Sequence, residues 1–455
     1  MSTLWGGGFA EGPDALLWAY TVDTADHRLI FDDLRGSWAH VGMLGEQEII
    51  TAEEADQLQA GILELVEEVE AGEFLFLETD EDVHSATERR LIEKIGDLGR
   101  KVHTGRSRND QIALDLRLYL GRSGVAQLRH LADMATVLVD QAERVGDVVV
   151  PSYTHLQQAQ AVPLAHHLLA YAEMFRRDAE RMQAAIYRTQ VSPLGASASG
   201  GSSLPLDPAT SARLLGWRWH FTNSMDAVAS RDFVAEYVFV CAQTMVHLSR
   251  LAEEIILWTT AEFGWVSFPD TFTTGSSAMP QKKNPDVAEL VRGRSAGVIG
   301  DLAAIMSLQK GLPMTYNRDL QEDKRIVFHA DDVLAGSLRT LGAMLATAVF
   351  HPPAPNPEVT ALDMAELLVG RGVAFRTAHE AVGGLLLTLA SDGRTFAEAT
   401  ASDLANAHEL FEPGDVARLD PIESVLHRVS PGGGSYGEVV KQIKRLRSLL
   451  AEVGN

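Results

Sequence analysis

The sequence predicts an all-α fold built around a bundle of long helices, and two features of the middle of the chain predict it. From Ala165, apolar residues recur as Leu168, Ala172, Phe175, Ala179, Met182 and Ile186, in steps of three and four. That is the a/d rhythm of helices packed side by side. The rhythm returns in Val238, Cys241, Met245, Leu248, Ala252 and Ile255, inside a stretch from Asp232 to Phe263 without Gly or Pro. Such a stretch can run as one helix of about 48 Å.

Taken in chain order, residues 1–107 read as shorter helices broken by Gly-rich turns, with a capping-box start at Thr51-Ala-Glu-Glu54. A long helix is expected over Asp110 to Arg144, then the one from Ala165, then Asp232 to Phe263. Another is expected to start after Pro285 and reach about Lys310 despite Gly293, Gly297 and Gly300. The Pro-rich run His351-Pro-Pro-Ala-Pro-Asn-Pro357 marks a boundary, followed by shorter helices, a Gly-rich turn at Pro431–Gly434 and a basic last helix. The division is therefore 1–107, 108–356 and 357–455, with the long helices in the middle segment. Seams of this length imply a bundle and are compatible with packing between subunits or within one.

Composition narrows the function classes. With 455 residues, 46% hydrophobic and 22% charged, the chain can build a large core. Its start lacks the basic and apolar regions of a signal peptide, and no run of 18 apolar residues appears, so a cytoplasmic protein is expected. Cys241 is the only cysteine, which excludes an intrachain disulfide and argues against a Cys-based zinc site. A net charge of −23 disfavours nucleic acid and acidic membranes as partners. Against that background two basic loops stand out, Arg100-Lys-Val-His-Thr-Gly-Arg-Ser-Arg108 and Gln281-Lys-Lys-Asn284. Each is either a solvated patch or a site for a small anion; two of them with hydroxyl residues favour the anion.

The segment Thr274-Gly-Ser-Ser-Ala-Met-Pro-Gln-Lys-Lys-Asn-Pro-Asp286 combines a pliable loop, lysines and a helix start, a set suited to binding carboxylates. It also reads as a polar surface loop. Thr154, His155 and Gln157 precede a long helix, where a lone histidine can be structural or catalytic. Glu81-Asp-Val-His84 is a single Glu-x-x-His, whereas a di-iron bundle needs two, so no metal is expected. Phosphate-loop, dinucleotide and G-x-S-x-G motifs are absent, and no cofactor is expected.

Together these segments resemble the fumarase/aspartase superfamily and, within it, the argininosuccinate lyase family. The superfamily signature is similar to Gly275-Ser-Ser-Ala-Met-Pro-Gln-Lys-Lys-Asn-Pro285. The narrower resemblance rests on Leu4–Gly7, Asp80–His84, His103–Gln111, Tyr153–Gln157, Asn223–Asp226, Arg231–Glu236, Tyr316–Lys324 and Phe375–Glu380, which span nearly the whole chain. It implies a three-domain helical subunit, a homotetramer with active sites shared between subunits, and reversible elimination of fumarate from argininosuccinate to leave L-arginine. By the same resemblance Ser276 is the catalytic base and His155 assists protonation of the leaving nitrogen, with Glu289 as its carboxylate partner. Lys282 stabilises charge on the reacting half. Ser107, Arg108, Asn109, Thr154, Lys282 and Asn284 hold the fumarate half; Asp26, Tyr316, Gln321 and Lys324 surround the arginine half.

The chain departs from the family pattern at Gly8, Val22, Ala196, Ser197, Leu362 and Gly434. Gly8 and Val22 fall near the segment that meets the leaving group, where Thr21 or Asp23 could replace the serine usual at position 22. A lyase acting on another N-substituted aspartate is thus the alternative activity. A non-catalytic structural relative is the alternative class, and the presence of both His155 and Ser276 argues against it.

Overall fold

The computed structural model describes residues 14–22 and 24–453. Four helices come first: α1 (Ala15–Thr21), α2 (Ile30–Glu46), α3 (Ala52–Glu70) and α4 (Val83–Ile95). A 3-10 turn over Thr24–Leu29 carries Asp26 between α1 and α2. The expected capping box opens α3. The Thr51 hydroxyl accepts from the Glu54 N–H at 3.2 Å, and the Thr51 N–H donates to the Glu54 carboxylate at 3.2 Å. Two of the four orphan donors of the helix start are satisfied in this way.

The middle segment is helical as its rhythm implies: α5 (Arg108–Val145), α6 (Leu164–Thr189), the short α7 (Pro208–Leu214) and α8 (Ser224–Ala229), then α9 (Asp232–Thr259), α10 (Asp286–Gln309) and α11 (Asp323–Ala346). Helix α9 stops short of Phe263. The Thr259 and Thr260 hydroxyls bond the carbonyls of Ile256 and Leu257 at 2.9 and 2.7 Å. The chain then turns at Gly264, whose φ of +59° suits glycine. The three glycines of α10 are tolerated; a side chain at Gly293 or Gly300 would meet nothing, and Gly297 lies against the His329 ring. The last helices are α12 (Ala361–Gly370), α13 (Phe375–Ser391), α14 (Ala401–Ala407), α15 (Pro421–Leu426) and α16 (Tyr436–Val453).

Among the described residues the β structure amounts to four two-stranded pairings. The longest is the antiparallel hairpin of β1 (Val149–Thr154) and β2 (Gln157–Pro163). No described helix is long and apolar enough to cross a membrane. The all-α reading holds.

The chain gathers into two compact units. The first comprises the residues up to Leu128, Glu180–Met245 and Arg294–Ala335. Its core includes Leu34, Leu44, Leu58, Ile62, Leu65 and Leu91 from α2, α3 and α4. Within the same unit the buried Asp331 of α11 accepts from the hydroxyls of Tyr119 and Tyr237 at 2.8 and 2.6 Å and from the Gln127 amide at 2.7 Å. Donors of this number offset the cost of burying a carboxylate. The second unit comprises Arg129–Ala179, Val246–Gly293 and the chain from Gly336 onward. Its core includes Met364, Leu368, Val382, Leu385, Leu389 and Phe396. The β1–β2 hairpin packs there through Val149 and Ala161 against Val359 and Val425.

Candidate active site

In the first unit the 3-10 turn, the start of α4, the start of α5 and the segment leading into α11 enclose a cavity of about 250 Å³. Asp26, Arg108, Asn109, Tyr316, Gln321 and Lys324 line it, together with Glu81, Asp82, His84, Ile112 and Arg318. Both signs of charge face the same space, a lining that suits a ligand carrying both carboxylate and cationic groups.

The local structure explains each position. Asp82 caps α4 by accepting from the Ser85 N–H at 2.8 Å. This places the Val83 N–H 3.3 Å from one Asp26 oxygen. The other Asp26 oxygen is buried without a hydrogen-bond partner. Burial pushes the Asp26 carboxyl up to about 7; His84 pulls it down, Asp82 raises it further and Lys324 lowers it. Arg108 donates to Glu81 at 2.7 Å and lies 3.2 Å from Asp82. Lys324 Nζ is 3.4 Å from Asp323, which is itself held by the fully buried Arg231 at 2.6 Å. Burial raises the Tyr316 phenol, with Lys324 opposing. Asn109 sits just inside α5. Its amide donates to the Ala198 carbonyl at 2.9 Å, and its backbone N–H donates to the Ser107 hydroxyl at 3.2 Å.

Two further groups of predicted residues lie in the second unit. Residues Thr274–Gly275 pair antiparallel with Lys283–Asn284, closing the intervening segment into a loop ahead of α10. Within it the Ser276 hydroxyl oxygen accepts from the N–H groups of Ala278 and Met279, each at 3.2 Å. Two backbone dipoles aimed at one oxygen stabilise negative charge there. Lys282 and Glu289 are exposed, Glu289 in the first turn of α10 with its N–H donating to the Pro285 carbonyl at 3.1 Å.

The other group is the tip of the β1–β2 hairpin. Thr154 pairs with Gln157, leaving His155 and Leu156 as a two-residue turn. Both have positive φ, 55° and 58°. Hairpin turns of this kind normally recruit Asn and Gly. A histidine and a leucine in this conformation are strained, as side chains held for a function often are. Leu156 is 74% exposed.

A model described as lyase matches residues 13–300, and one described as argininosuccinate lyase C-terminal matches residues 358–426. The argininosuccinate lyase of Desulforudis audaxviator is 48% identical over 460 residues, covering 100% of both chains. That of Carboxydothermus hydrogenoformans is 45% identical, covering 98% of this chain and 100% of its own. The chain belongs to the argininosuccinate lyase family. It is a carbon–nitrogen lyase. Among solved structures, an EDDS lyase in complex with formate superposes with a TM-score of 0.81 at 27% identity, over 96% of this chain and 89% of that one. A class II fumarase from Schistosoma mansoni, 15% identical, shares the fold at a TM-score of 0.73, over 89% of this chain and 92% of that one.

Six of the thirteen residues singled out for this lyase from its sequence therefore meet in one cavity. Ser107 stands beside Asn109 without lining that cavity, and Thr154, His155, Ser276, Lys282, Asn284 and Glu289 belong to the second unit. Sequence reasoning missed Glu81, Asp82, His84 and Arg318 as lining residues, although all four sit inside motifs quoted for the resemblance.

The departures from the family pattern sort by position. Leu4–Gly7, Gly8 and Asp23 lie outside the described residues. Val22 caps α1, and the Thr21 hydroxyl is engaged with the Leu17 carbonyl at 2.8 Å. The Thr21 carbonyl, however, accepts from Arg318 at 2.8 Å and Gln321 at 3.2 Å, tying this segment to the cavity wall. Ala196 is fully buried beside Ala227 and Val228, so the change there is one of packing. At Gly434 a Cβ would stand 3.2 Å from Val162 and 3.4 Å from His166, too close for threonine without a shift. Nothing in the structure explains Leu362.

Proposed function

We propose that this lyase eliminates fumarate from argininosuccinate, leaving L-arginine, with Ser276 as the base. The reaction itself rests on full-length similarity to argininosuccinate lyases. The observation that carries the assignment of the base is the pair of backbone N–H groups on the Ser276 oxygen. A serine hydroxyl is a poor base in water; those donors, with Lys282 on the same loop, lower the cost of its alkoxide. The alkoxide takes a proton from the carbon beside a carboxylate of the succinyl half, and negative charge spreads into that carboxylate. Ser107, Arg108, Asn109, Thr154, Lys282 and Asn284 stabilise it. His155, steadied by Glu289, gives a second proton to the departing nitrogen as the carbon–nitrogen bond breaks and the carbon–carbon double bond of fumarate forms. Asp26, Tyr316, Gln321 and Lys324 hold the arginine half, Lys324 suiting its carboxylate and Asp26 its cationic groups.

We further propose a cytoplasmic homotetramer in which segment 108–356 forms the shared core and segments 1–107 and 357–455 flank it. Helix α10 supports this. It buries Val291, Val298 and Ile305, yet leaves Leu290, Ile299 and Met306 exposed. A helix apolar on two faces is built to be covered twice. The exposed strained tip at His155 fits a residue that completes a neighbour's site.

The test is fumarate release, followed by its ultraviolet absorbance, with argininosuccinate and with adenylosuccinate as substrates. Fumarate from argininosuccinate is expected. Fumarate from adenylosuccinate alone would overturn the reading and favour the alternative that Val22 raises, a lyase for another N-substituted aspartate. The pH dependence carries a second prediction. Asp26 gains its charge as pH rises through about 7. Affinity for a cationic substrate group should therefore fall below pH 7, seen as a rise in KM of up to about tenfold per pH unit. Asp26→Asn should abolish that limb and leave KM high at every pH. An acid limb that survives the substitution belongs to another group.

A further inference from the structure

Behind the His84 wall of the cavity lies a cluster that the proposed reaction does not use. His84 Nδ1 is 2.8 Å from Asp33 Oδ1 and 3.6 Å from Asp115 Oδ2. The three residues come from α4, α2 and α5, and their side chains are 6%, 0% and 0% exposed. One ligand atom from each falls within a span of 4.8 Å. Glu81, the other half of the Glu-x-x-His read from the sequence, turns away to Arg108.

The hydrogen bonding around this cluster is incomplete. Neither oxygen of Asp115 has a hydrogen-bond partner, and the Gln111 side-chain oxygen is also buried without one. Gln111 uses its amide N–H on Asp33, which fixes the orphaned oxygen next to the same group. Arg106, a buried cation in this unit, donates to the Ser37 hydroxyl at 2.9 Å and gives Asp115 no hydrogen bond. Asp33 has His84 and Gln111 on one oxygen, whereas the fully buried Asp115 beside the same imidazole has no donor on either oxygen, short of what such a group normally commands.

We propose that Asp33, His84 and Asp115 form a binding site for a divalent first-row transition cation. One imidazole nitrogen and two carboxylates are a donor set for Zn²⁺ or Mn²⁺. The 3.6 Å separation is that of ligand atoms around a common ion at roughly 2.0–2.2 Å, and the 2.8 Å hydrogen bond between His84 and Asp33 opens as the ion enters. On binding, the ion replaces any proton shared between His84 Nδ1 and Asp33, and that proton leaves to solvent. The cavity lined by His84 gives a path of entry. The ion would tie α2, α4 and α5 together behind Asp26, a structural role independent of how the elimination is assigned.

The full-length protein, stripped with EDTA and returned to metal-free buffer, is titrated calorimetrically with ZnCl₂ and with MnCl₂. One equivalent per chain is expected for at least one ion, with a Tm rise of about 2–5 °C at saturation. Asp115→Asn and His84→Gln should each weaken binding by at least about 10²-fold. Crystals grown with the bound ion should show its anomalous peak between Asp33, His84 and Asp115, a readout that stands if either variant fails to fold. No binding tighter than about 10 μM by the wild-type chain overturns the proposal. So does an anomalous peak elsewhere, or binding that survives both substitutions.

Discussion

Replacing Ser276 with alanine is expected to lower kcat by a factor of about 10²–10⁴ with little change in KM. The hydroxyl is the one group of the 274–286 loop that both faces two backbone N–H donors and can take up a proton. Alanine removes the base and leaves the loop closed by its own strand pairing, so the loss should fall on the chemical step. His155→Asn should cost a similar factor, because proton delivery to the leaving nitrogen fails while the hairpin persists. Asparagine tolerates the positive φ of 55° at this turn, which makes it the mildest structural replacement. Rapid-quench measurement of the first turnover separates chemistry from product release. Near-normal turnover in Ser276→Ala would reassign the base.

Arg231→Met is expected to destabilise the subunit by about 3–5 kcal/mol. Arg231 and Asp323 are both fully buried and 2.6 Å apart. Arg231 also donates to the Ser230 carbonyl at 2.8 Å. Methionine fills much of the volume but leaves the Asp323 charge with Lys324 alone, at 3.4 Å. Lys324 would then be drawn from the cavity toward Asp323, so kcat/KM should fall as well. Thermal unfolding at a fixed chain concentration checks the first effect, and steady-state kinetics well below the melting point checks the second. A Tm unchanged within about 1 °C would mean that the ion pair is dispensable.

What the sequence disclosed and what it withheld divide along physical lines. The long helices were legible because period and the absence of Gly and Pro are local properties; α5 and α6 begin and end within a few residues of expectation. The end of α9 was not, because Thr259 and Thr260 terminate it through hydroxyl-to-carbonyl bonds that composition does not announce. The chemistry-bearing residues could be listed by resemblance, yet which of them meet depends on tertiary folding. Asp26 and Lys324 are far apart in sequence and line one cavity. The Arg231–Asp323 pair joins two of the quoted motifs for the same reason. The orphaned oxygens of Asp115 and Gln111 are a property of packing alone.

The hairpin tip has an evolutionary corollary. Two side-chain-bearing residues with left-handed backbone torsions each cost about 1 kcal/mol or more relative to glycine. Selection for thermal robustness alone would favour Asn-Gly in place of His155 and Leu156. Their persistence would thus mark a position where turnover outranks robustness, and a heat-hardened but inert variant of this enzyme should be sought there first.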